Sequence, residues 1–356
     1  MRSYLPSRRA CLILLSFVQI MCVAAFAGTV ESSLGGGKRV TALSPEEEKR
    51  AEATKTRVYA RLHEDDKAGF VKLGPPKAGE WLACHKEFPQ TVERYSAIDV
   101  RSRPTKERRA IVLQPLGKFN RVQRKRLETL REYAQLFFQL PTRLAEPMEL
   151  ELNDSARELI RKVPLGNRHG DYYRQFNASV ILNQILAKRV PDDAVLYMGV
   201  TCEDLWAGKL NYLFGLGSFK HPVAVMSVCR FDPEFFGRTR KVEDDVWILR
   251  RQLKILNHEA CHVFGLHHCV FYHCTMNGCN CLGEMDRAPI HLCPVCHRKL
   301  KWSHRWDSAK RYGELRDFYR KHGLERASAW LDERSRNWHA IEQRESSARE
   351  GEGEEE

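Results

Sequence analysis

The sequence contains only one long apolar run, at its N-terminus, and no other stretch is apolar enough to cross a membrane. It contains no internal repeat, which excludes repeat architectures such as solenoids. No platform of basic and aromatic residues, and no known nucleic-acid motif, accompanies the formal net charge of +12. We therefore expect no nucleic-acid partner and interpret the charge as a solvated basic surface. With 43% hydrophobic and 29% charged residues among 356, most of the chain is expected to fold as a globule with a sizeable core.

The apolar run lies within residues 1–27, which begin with basic residues and end with Ala25-Phe26-Ala27. This pattern is typical of a secretory signal peptide cleaved after Ala27, so we expect the secretory pathway or the extracellular space. Three alternatives remain open. An uncleaved anchor would contact a membrane, because the run is just long enough to span a bilayer. A mitochondrial presequence fits the absence of acidic residues before Glu31, and a start at Met21 would give a cytosolic protein.

The rest of the chain divides by composition and periodicity. Residues 28–75 are predicted to be a flexible segment with one helix, 76–304 the main domain, 305–341 C-terminal helices and 342–356 an acidic disordered tail. Within the main domain, helices are expected over 120–140, 172–189 and 244–266, and strands over 110–113, 142–152, 194–201, 211–219 and 223–231. This order predicts one α/β domain with a helical C-terminal part.

Two histidines mark the last of these helices. His258 and His262 are four residues apart, which places them about 40° apart around the helix axis, so both imidazoles can reach one metal ion. Glu259 lies beside them, where it can contact a water bound to that metal. This is the H-E-x-x-H arrangement of zinc peptidases.

The continuation of the motif adds a third ligand. Gly265 follows His262 by three residues and His268 follows Gly265 by three, a combination expected by chance on the order of once in 10,000 chains of this length. The helix must end and the chain must turn for His268 to reach the metal, and glycine adopts the required positive φ at low cost. Three protein ligands leave the fourth position of a tetrahedral zinc open for water, as in catalytic sites. We exclude His267, because the spacing selects its neighbour.

The cysteines indicate a second site. Residues 293–296 form a C-x-x-C turn of the kind found in structural zinc sites. Cys269 and Cys274 follow the histidine motif and can supply the partner pair, although Cys279 and Cys281 lie close enough to compete. A disulfide network is the alternative, and secretion would favour it. We favour a four-cysteine zinc site, because a C-x-x-C pair that bridges to itself closes a very small ring.

The string from His258 to Cys269, followed by Cys274-Thr275-Met276 and the turn at 293–296, resembles the archaemetzincins, metalloproteases of the metzincin clan. Weaker similarity extends upstream, so the resemblance covers roughly residues 79–304. It implies a metzincin-like zincin fold, with a twisted mixed sheet of about five strands, an active-site helix and a helical C-terminal part stabilised by zinc.

The resemblance also implies two zinc ions per chain. A catalytic zinc would be bound by His258, His262 and His268, and a structural zinc by Cys269, Cys274, Cys293 and Cys296. Met276 would be the methionine of the turn beneath the catalytic zinc. Some metzincins have a tyrosine two residues further on that stabilises the oxyanion, and this chain has Gly278 there.

The implied activity is hydrolysis of peptide bonds, with an aminopeptidase-like action on small peptides. Zinc lowers the pKa of a bound water molecule from its value in bulk water towards about 7. Glu259 is expected to accept the proton of that water as general base and to return it to the leaving nitrogen as general acid. In metzincins the peptide substrate lies along an edge strand above the active-site helix, and the resemblance implies by position that the segment 211–219, "NYLFGLGSF", is this strand. The alternative is a zinc-stabilised peptide-binding protein with weak or no proteolytic activity.

Overall fold

The computed structural model describes residues 43–62, 67–99, 102–150, 159–164 and 172–335. The expected signal peptide (1–27) and acidic tail (342–356) lie outside the described residues, as do parts of the segments 28–75 and 305–341. Among the described residues, no helix combines the length and the apolar character needed to span a bilayer.

A five-stranded mixed sheet lies at the centre of the fold. The described residues form eight strands, five of them in this sheet: β1 (Ala110–Leu116), β2 (Thr142–Leu144), β3 (Ile160–Pro164), β4 (Tyr172–Asn177), β5 (Ala194–Thr201), β6 (Asp204–Trp206), β7 (Gly215–Gly217) and β8 (Val223–Ser227). The central sheet has the order β2-β1-β5-β8-β7, and only the edge strand β7 runs antiparallel to its neighbour. The predicted mixed sheet of about five strands is confirmed. A second, three-stranded sheet, β3-β4-β6, is absent from the prediction.

Helices cover both faces of the central sheet. They are α1 (Pro45–Arg61), α2 (Trp81–Cys84), α3 (Val92–Ser96), α4 (Arg121–Phe138), α5 (Ala178–Val180), α6 (Asp244–Val263), α7 (Leu282–Arg287), α8 (Pro294–His304) and α9 (Ser308–Lys321). A π-helical turn, Ile181–Leu186, continues α5, and a further helix occupies residues 325–335.

The central strands show why the sheet is covered on both sides. Every residue of β1, β5 and β8 is buried, as expected for parallel strands between two helical layers. Alternate residues belong to different cores: Leu113 and Met198 pack in the core that contains α4 and α6, whereas Val112 and Tyr197 pack in the core that contains α5.

Four predicted elements differ from the structure, and two of them are strands that are shorter than expected: those predicted over 142–152 and 223–231 end at Leu144 and Ser227. The helix expected over 172–189 is wrong in its first part, because Tyr172–Asn177 form β4 and pair with β3 and β6. Aromatic residues fit a paired strand, and the side chain of Asn177 accepts hydrogen bonds from the backbone N–H groups of Ser179 and Val180, so the helix starts after it. The edge strand expected over 211–219 is confined to Gly215–Gly217.

The packing of β5 against its neighbours gives a test. An added Cβ at Gly199 would lie 2.6 Å from Leu116 Cδ1 and 3.1 Å from Leu186 Cδ1. We expect Gly199→Ala to lower the free energy of unfolding by about 1–3 kcal/mol, because overpacking forces the neighbours to shift. In the control Gly313→Ala, on α9, the added Cβ would have nothing within 4 Å, and we expect a gain of roughly 0.5–1 kcal/mol. Urea unfolding measures both, and equal effects would contradict this packing.

Candidate functional site

Three histidine side chains converge at the C-terminal end of α6. His258 and His262 lie on the last turns of the helix, and His268 follows the turn that ends it. Each offers one ring nitrogen, and these atoms lie within 4.8 Å of one another. The Nε2 atoms of His258 and His262 are 3.0 Å apart. The structure thus brings the predicted trio together, whereas His267 is exposed and lies outside the group.

The second ring nitrogen of each histidine lies beside an oxygen acceptor. Nδ1 of His258 lies 2.9 Å from the Thr275 carbonyl oxygen, and Nδ1 of His262 lies 2.7 Å from the Leu266 carbonyl oxygen. Nδ1 of His268 lies 2.7 Å from Glu87 Oε1. An Nδ1–H that donates to such an oxygen fixes the tautomer and the ring orientation, and leaves Nε2 as the metal ligand.

The histidine group fits zinc. Burial lowers the pKa of His258 to about 3 and the pKa of His262 well below its ordinary value, and the neighbouring histidines add to both shifts. Neutral imidazole is the form that binds a metal ion. Zinc–nitrogen bonds of about 2.0–2.1 Å in a tetrahedron place the ligand nitrogens about 3.4 Å apart, which agrees with the spacing of this group.

Glu259 lies between the two histidines of α6 and packs against the edge strand β7. Its side chain is buried, and burial raises its pKa to about 8, although a hydrogen bond from the Gly217 N–H acts in the opposite direction. An added Cβ at Gly215 would lie 2.5 Å from Glu259 Cγ, and one at Gly217 would lie 2.6 Å from the Glu259 carbonyl oxygen. The two glycines therefore allow β7 to lie directly on the helix. A cation at the neighbouring imidazoles would favour the ionised carboxylate.

The turn after α6 has the backbone geometry expected from the sequence. Gly265 has a φ of 88°, in the left-handed region that glycine adopts easily. The buried side chain of Gln90 holds both sides of this turn: its Nε2 donates to the Gly265 carbonyl oxygen at 3.0 Å, and its Oε1 accepts from the His267 N–H at 3.2 Å. The chain therefore reverses in a fixed geometry that brings His268 back towards the helix.

Glu87 contacts the third histidine from the same upstream segment. Its Oε1 accepts from Nε1–H of Trp81 at 2.6 Å as well as from His268. Burial by itself would raise the pKa of Glu87, but the interactions with His268 and Trp81 outweigh burial and lower it. The sequence analysis did not identify Glu87 or Gln90. They lie 181 and 175 residues upstream of their partners His268 and Gly265, and no local pattern marks them.

Trp81 occupies the space beside Gly278, the position at which some metzincins have a tyrosine. An added Cβ at Gly278 would lie 2.4 Å from the indole Cδ1. The indole stacks on His85 with a centroid distance of 3.9 Å and meets His268 edge-on at 4.9 Å. Met276 is fully buried, and its carbonyl oxygen accepts from the Cys269 N–H at 2.7 Å, so the predicted methionine turn is joined to the residue after His268.

Four buried cysteines form a second group directly beyond His268. Their sulfur atoms lie within 4.8 Å of one another, and they are the predicted set, Cys269, Cys274, Cys293 and Cys296. The Sγ atoms of Cys269 and Cys293 are 3.5 Å apart, well beyond the bond length of about 2.05 Å in a disulfide, and all four are free cysteines. Zinc–sulfur bonds of about 2.3 Å place tetrahedral ligands about 3.8 Å apart, so the group fits zinc. Cys279 and Cys281 lie outside it.

Comparisons with known proteins agree with these features. The sequence pattern of Peptidase family M54 matches residues 170–302. Archaemetzincin-2 of Pongo abelii is 29% identical over 277 residues, which cover 70% of this chain and 74% of that protein. Archaemetzincin of Thermococcus kodakarensis is 35% identical over 129 residues, which cover 36% of this chain and 68% of that protein.

A similar solved structure is the crystal structure of archaemetzincin (AmzA) from Archaeoglobus fulgidus complexed with malonate. The alignment has a TM-score of 0.40 and 25% sequence identity, and it covers 53% of this chain and 99% of that one.

Substitution of Glu87 tests whether it positions His268. Glu87→Ala removes the acceptor of the His268 Nδ1–H, and we expect zinc bound at the histidines to be held about 10–100-fold more weakly. Competition with a chromophoric chelator measures this affinity. Glu87→Gln keeps an acceptor oxygen and should recover most of it, and the exposed Glu325→Gln serves as the control. Wild-type zinc affinity in Glu87→Ala would contradict the assignment.

Proposed function

The chain belongs to the archaemetzincin family, peptidase family M54, and we propose that this zinc-dependent peptidase holds its catalytic zinc with His258, His262 and His268 and moves protons with Glu259. One observation carries the proposal. Three imidazole nitrogens lie within 4.8 Å of one another, and the buried Glu259 follows the first of these histidines on α6.

The surrounding residues have defined parts in this proposal. Zinc bound at the histidines would polarise the peptide carbonyl and lower the pKa of a bound water molecule from its value in bulk water towards about 7. Glu259 would act as general base towards the attacking water and as general acid towards the leaving nitrogen, and the Gly217 N–H orients its carboxylate. The carbonyl oxygens of Thr275 and Leu266 fix the rings of the two helical histidines.

The substrate is a peptide, and β7 is the proposed surface on which it lies. β7 is the last strand in the order of its sheet, so its outer edge can pair with an extended peptide through the backbone. Phe219, just beyond this strand, is 43% exposed, and its ring centroid lies 5.5 Å from the ring centroids of His262 and His267. An apolar substrate side chain can pack on this ring. Aminopeptidase-like action on small peptides stays a prediction.

The cysteine group is proposed to hold a second, structural zinc. Four thiolate ligands complete a tetrahedral zinc and leave no position for water, whereas the three histidines leave one open. The backbone N–H groups of Cys293 and Cys296 point to the sulfurs of Cys274 and Cys293 at 3.2 and 3.4 Å. Such hydrogen bonds stabilise charged sulfur, so the site suits thiolates.

A zinc-stabilised peptide-binding protein with weak or no proteolysis is the second candidate. Trp81 favours it, because the indole fills the space beside Gly278 and no tyrosine stands there to stabilise an oxyanion. A broad panel of internally quenched peptides and of fluorogenic substrates with a free N-terminus separates the two candidates. Failure of the zinc-loaded wild type to cleave any of them would favour the binding protein.

The role of Glu259 is tested by Glu259→Gln. We expect kcat/KM for peptide hydrolysis to fall by about 100-fold or more with zinc content unchanged, because the amide cannot accept the proton. Kinetics on a cleaved peptide and metal analysis measure the two quantities. Glu243→Gln, at the start of the same helix, serves as the control. Undiminished cleavage by Glu259→Gln would show that another group is the base.

The second zinc is tested by Cys293→Ser. Native mass spectrometry should find two zinc ions per chain in the wild type and one in this variant, because serine is a poor zinc ligand. Its Tm should also fall, since structural zinc contributes to folding free energy. Cys281→Ser, at an exposed cysteine outside the group, should keep both ions. Two zinc ions in Cys293→Ser would contradict the proposed ligand set.

A further inference from the structure

A cavity of about 420 Å³ lies beside α1, and its lining includes no member of the histidine or cysteine groups. Three elements supply its basic side chains: α1, α3 and α8. Its lining contains a single carboxylate, from Glu93, and no lysine. The arginines that line it are Arg50, Arg57, Arg61, Arg94 and Arg298.

Carboxylates neutralise only part of this positive charge, and Arg50 interacts electrostatically with Glu47 without forming a salt bridge. Arg61 pairs with Glu93 at 3.5 Å, but both side chains are largely exposed, so water weakens the interaction. Among the described residues, Arg50, Arg57 and Arg94 form no salt bridge with a carboxylate. The cavity therefore presents several guanidinium groups that can bind an anion.

The spacing of the arginines indicates an anion with several charges. Arg50, Arg57 and Arg61 lie on one face of α1, because positions i, i+7 and i+11 fall on the same stripe of a helix. The first and the last are separated by about 16 Å along the axis. One phosphate group contacts only part of this row, and a second phosphoryl group adds contacts with a neighbouring arginine.

Apolar side chains form much of the wall between the arginines. Phe88 contributes a ring to the cavity, with the guanidinium carbon of Arg94 at 4.5 Å from its centroid and that of Arg50 at 6.0 Å. Ala53, Val58, Leu62, Val92 and Val295 add further apolar lining, and Thr54 and Thr91 add hydroxyl groups. Such walls suit the organic part of a ligand, and inorganic polyphosphate would not use them.

We propose that this cavity binds an organic phosphate with at least two phosphoryl groups. The guanidinium forks contact the phosphoryl oxygens, and the apolar walls contact the organic part. The volume of the cavity lies within the range of small-molecule sites.

Phe88 connects this cavity to the histidine group. It follows Glu87, which accepts from His268 Nδ1, and lies two residues before Gln90, which holds the turn at Gly265. A ligand that packs on Phe88 therefore acts on the segment that positions His268. We expect bound ligand to change the rate of peptide hydrolysis, a consequence that rests on the proposed function.

Calorimetric titration of the full-length, zinc-loaded chain with ADP and with inorganic pyrophosphate tests the binding. We expect ADP to bind and pyrophosphate to bind more weakly. The double variant Arg57→Gln/Arg94→Gln should weaken ADP binding by about tenfold or more, because charge-assisted hydrogen bonds are lost. Arg121→Gln/Arg124→Gln removes two exposed arginines of α4 and should leave it unchanged. No binding of ADP, or equal binding by both double variants, would overturn the proposal.

Two further measurements distinguish the organic phosphate from an acidic segment of the chain and from zinc chelation. Residues 342–356 contain seven glutamates, and ADP binding that appears only after this segment is removed would assign the cavity to the segment and overturn the proposal.

Peptide hydrolysis at saturating ADP tests the connection through Phe88. A change in the rate of peptide hydrolysis that persists in Arg57→Gln/Arg94→Gln would indicate zinc chelation by ADP and overturn the connection. A wild-type rate that ADP leaves unchanged would also overturn the connection. Binding is measured without catalysis, so an inactive protein would contradict the proposed function alone.

Discussion

The reversal of the chain at Gly265 is the constraint on which the rest of the site depends. It ends α6, and it brings His268 back to the two histidines of that helix, while the next residue, Cys269, belongs to the buried cysteine group. Glycine permits the positive φ, and the side chain of Gln90 holds both sides of the turn. Two adjacent residues are thereby committed to two different ligand groups.

A second constraint is the close approach of the edge strand to α6. Gly215 and Gly217 leave no side chain between β7 and Glu259, so the proposed proton carrier and the proposed peptide-binding strand are neighbours. Larger residues there would displace Glu259 or His262. Substitutions in this strand should therefore change the chemical step as well as substrate binding.

The sequence allowed the local parts of the site to be predicted. The spacing of His258, Glu259, His262, Gly265 and His268 is a property of one helix and one turn, so the structure brings the three histidines together as expected. The convergence of the cysteines also agrees with the pattern and its family resemblance. The roles of these residues as zinc ligands stay predictions.

The parts that depend on distant contacts could not be predicted. Glu87, Gln90 and Trp81 reach the site from an upstream segment with no repeating pattern, and only the folded chain shows their partners. The helix expected from Tyr172 is a strand in its first part, because pairing with two neighbouring strands outweighs local propensity.

The central claim is that His268 and Cys269 belong to different zinc sites. Zinc K-edge X-ray absorption on the native protein tests it directly, because zinc–nitrogen distances of about 2.0–2.1 Å and zinc–sulfur distances of about 2.3 Å are distinguishable. We predict both distances in the wild type and, in His268→Ala, a weaker nitrogen contribution with the sulfur contribution retained. A spectrum with sulfur ligands alone, unchanged in His268→Ala, would contradict the claim.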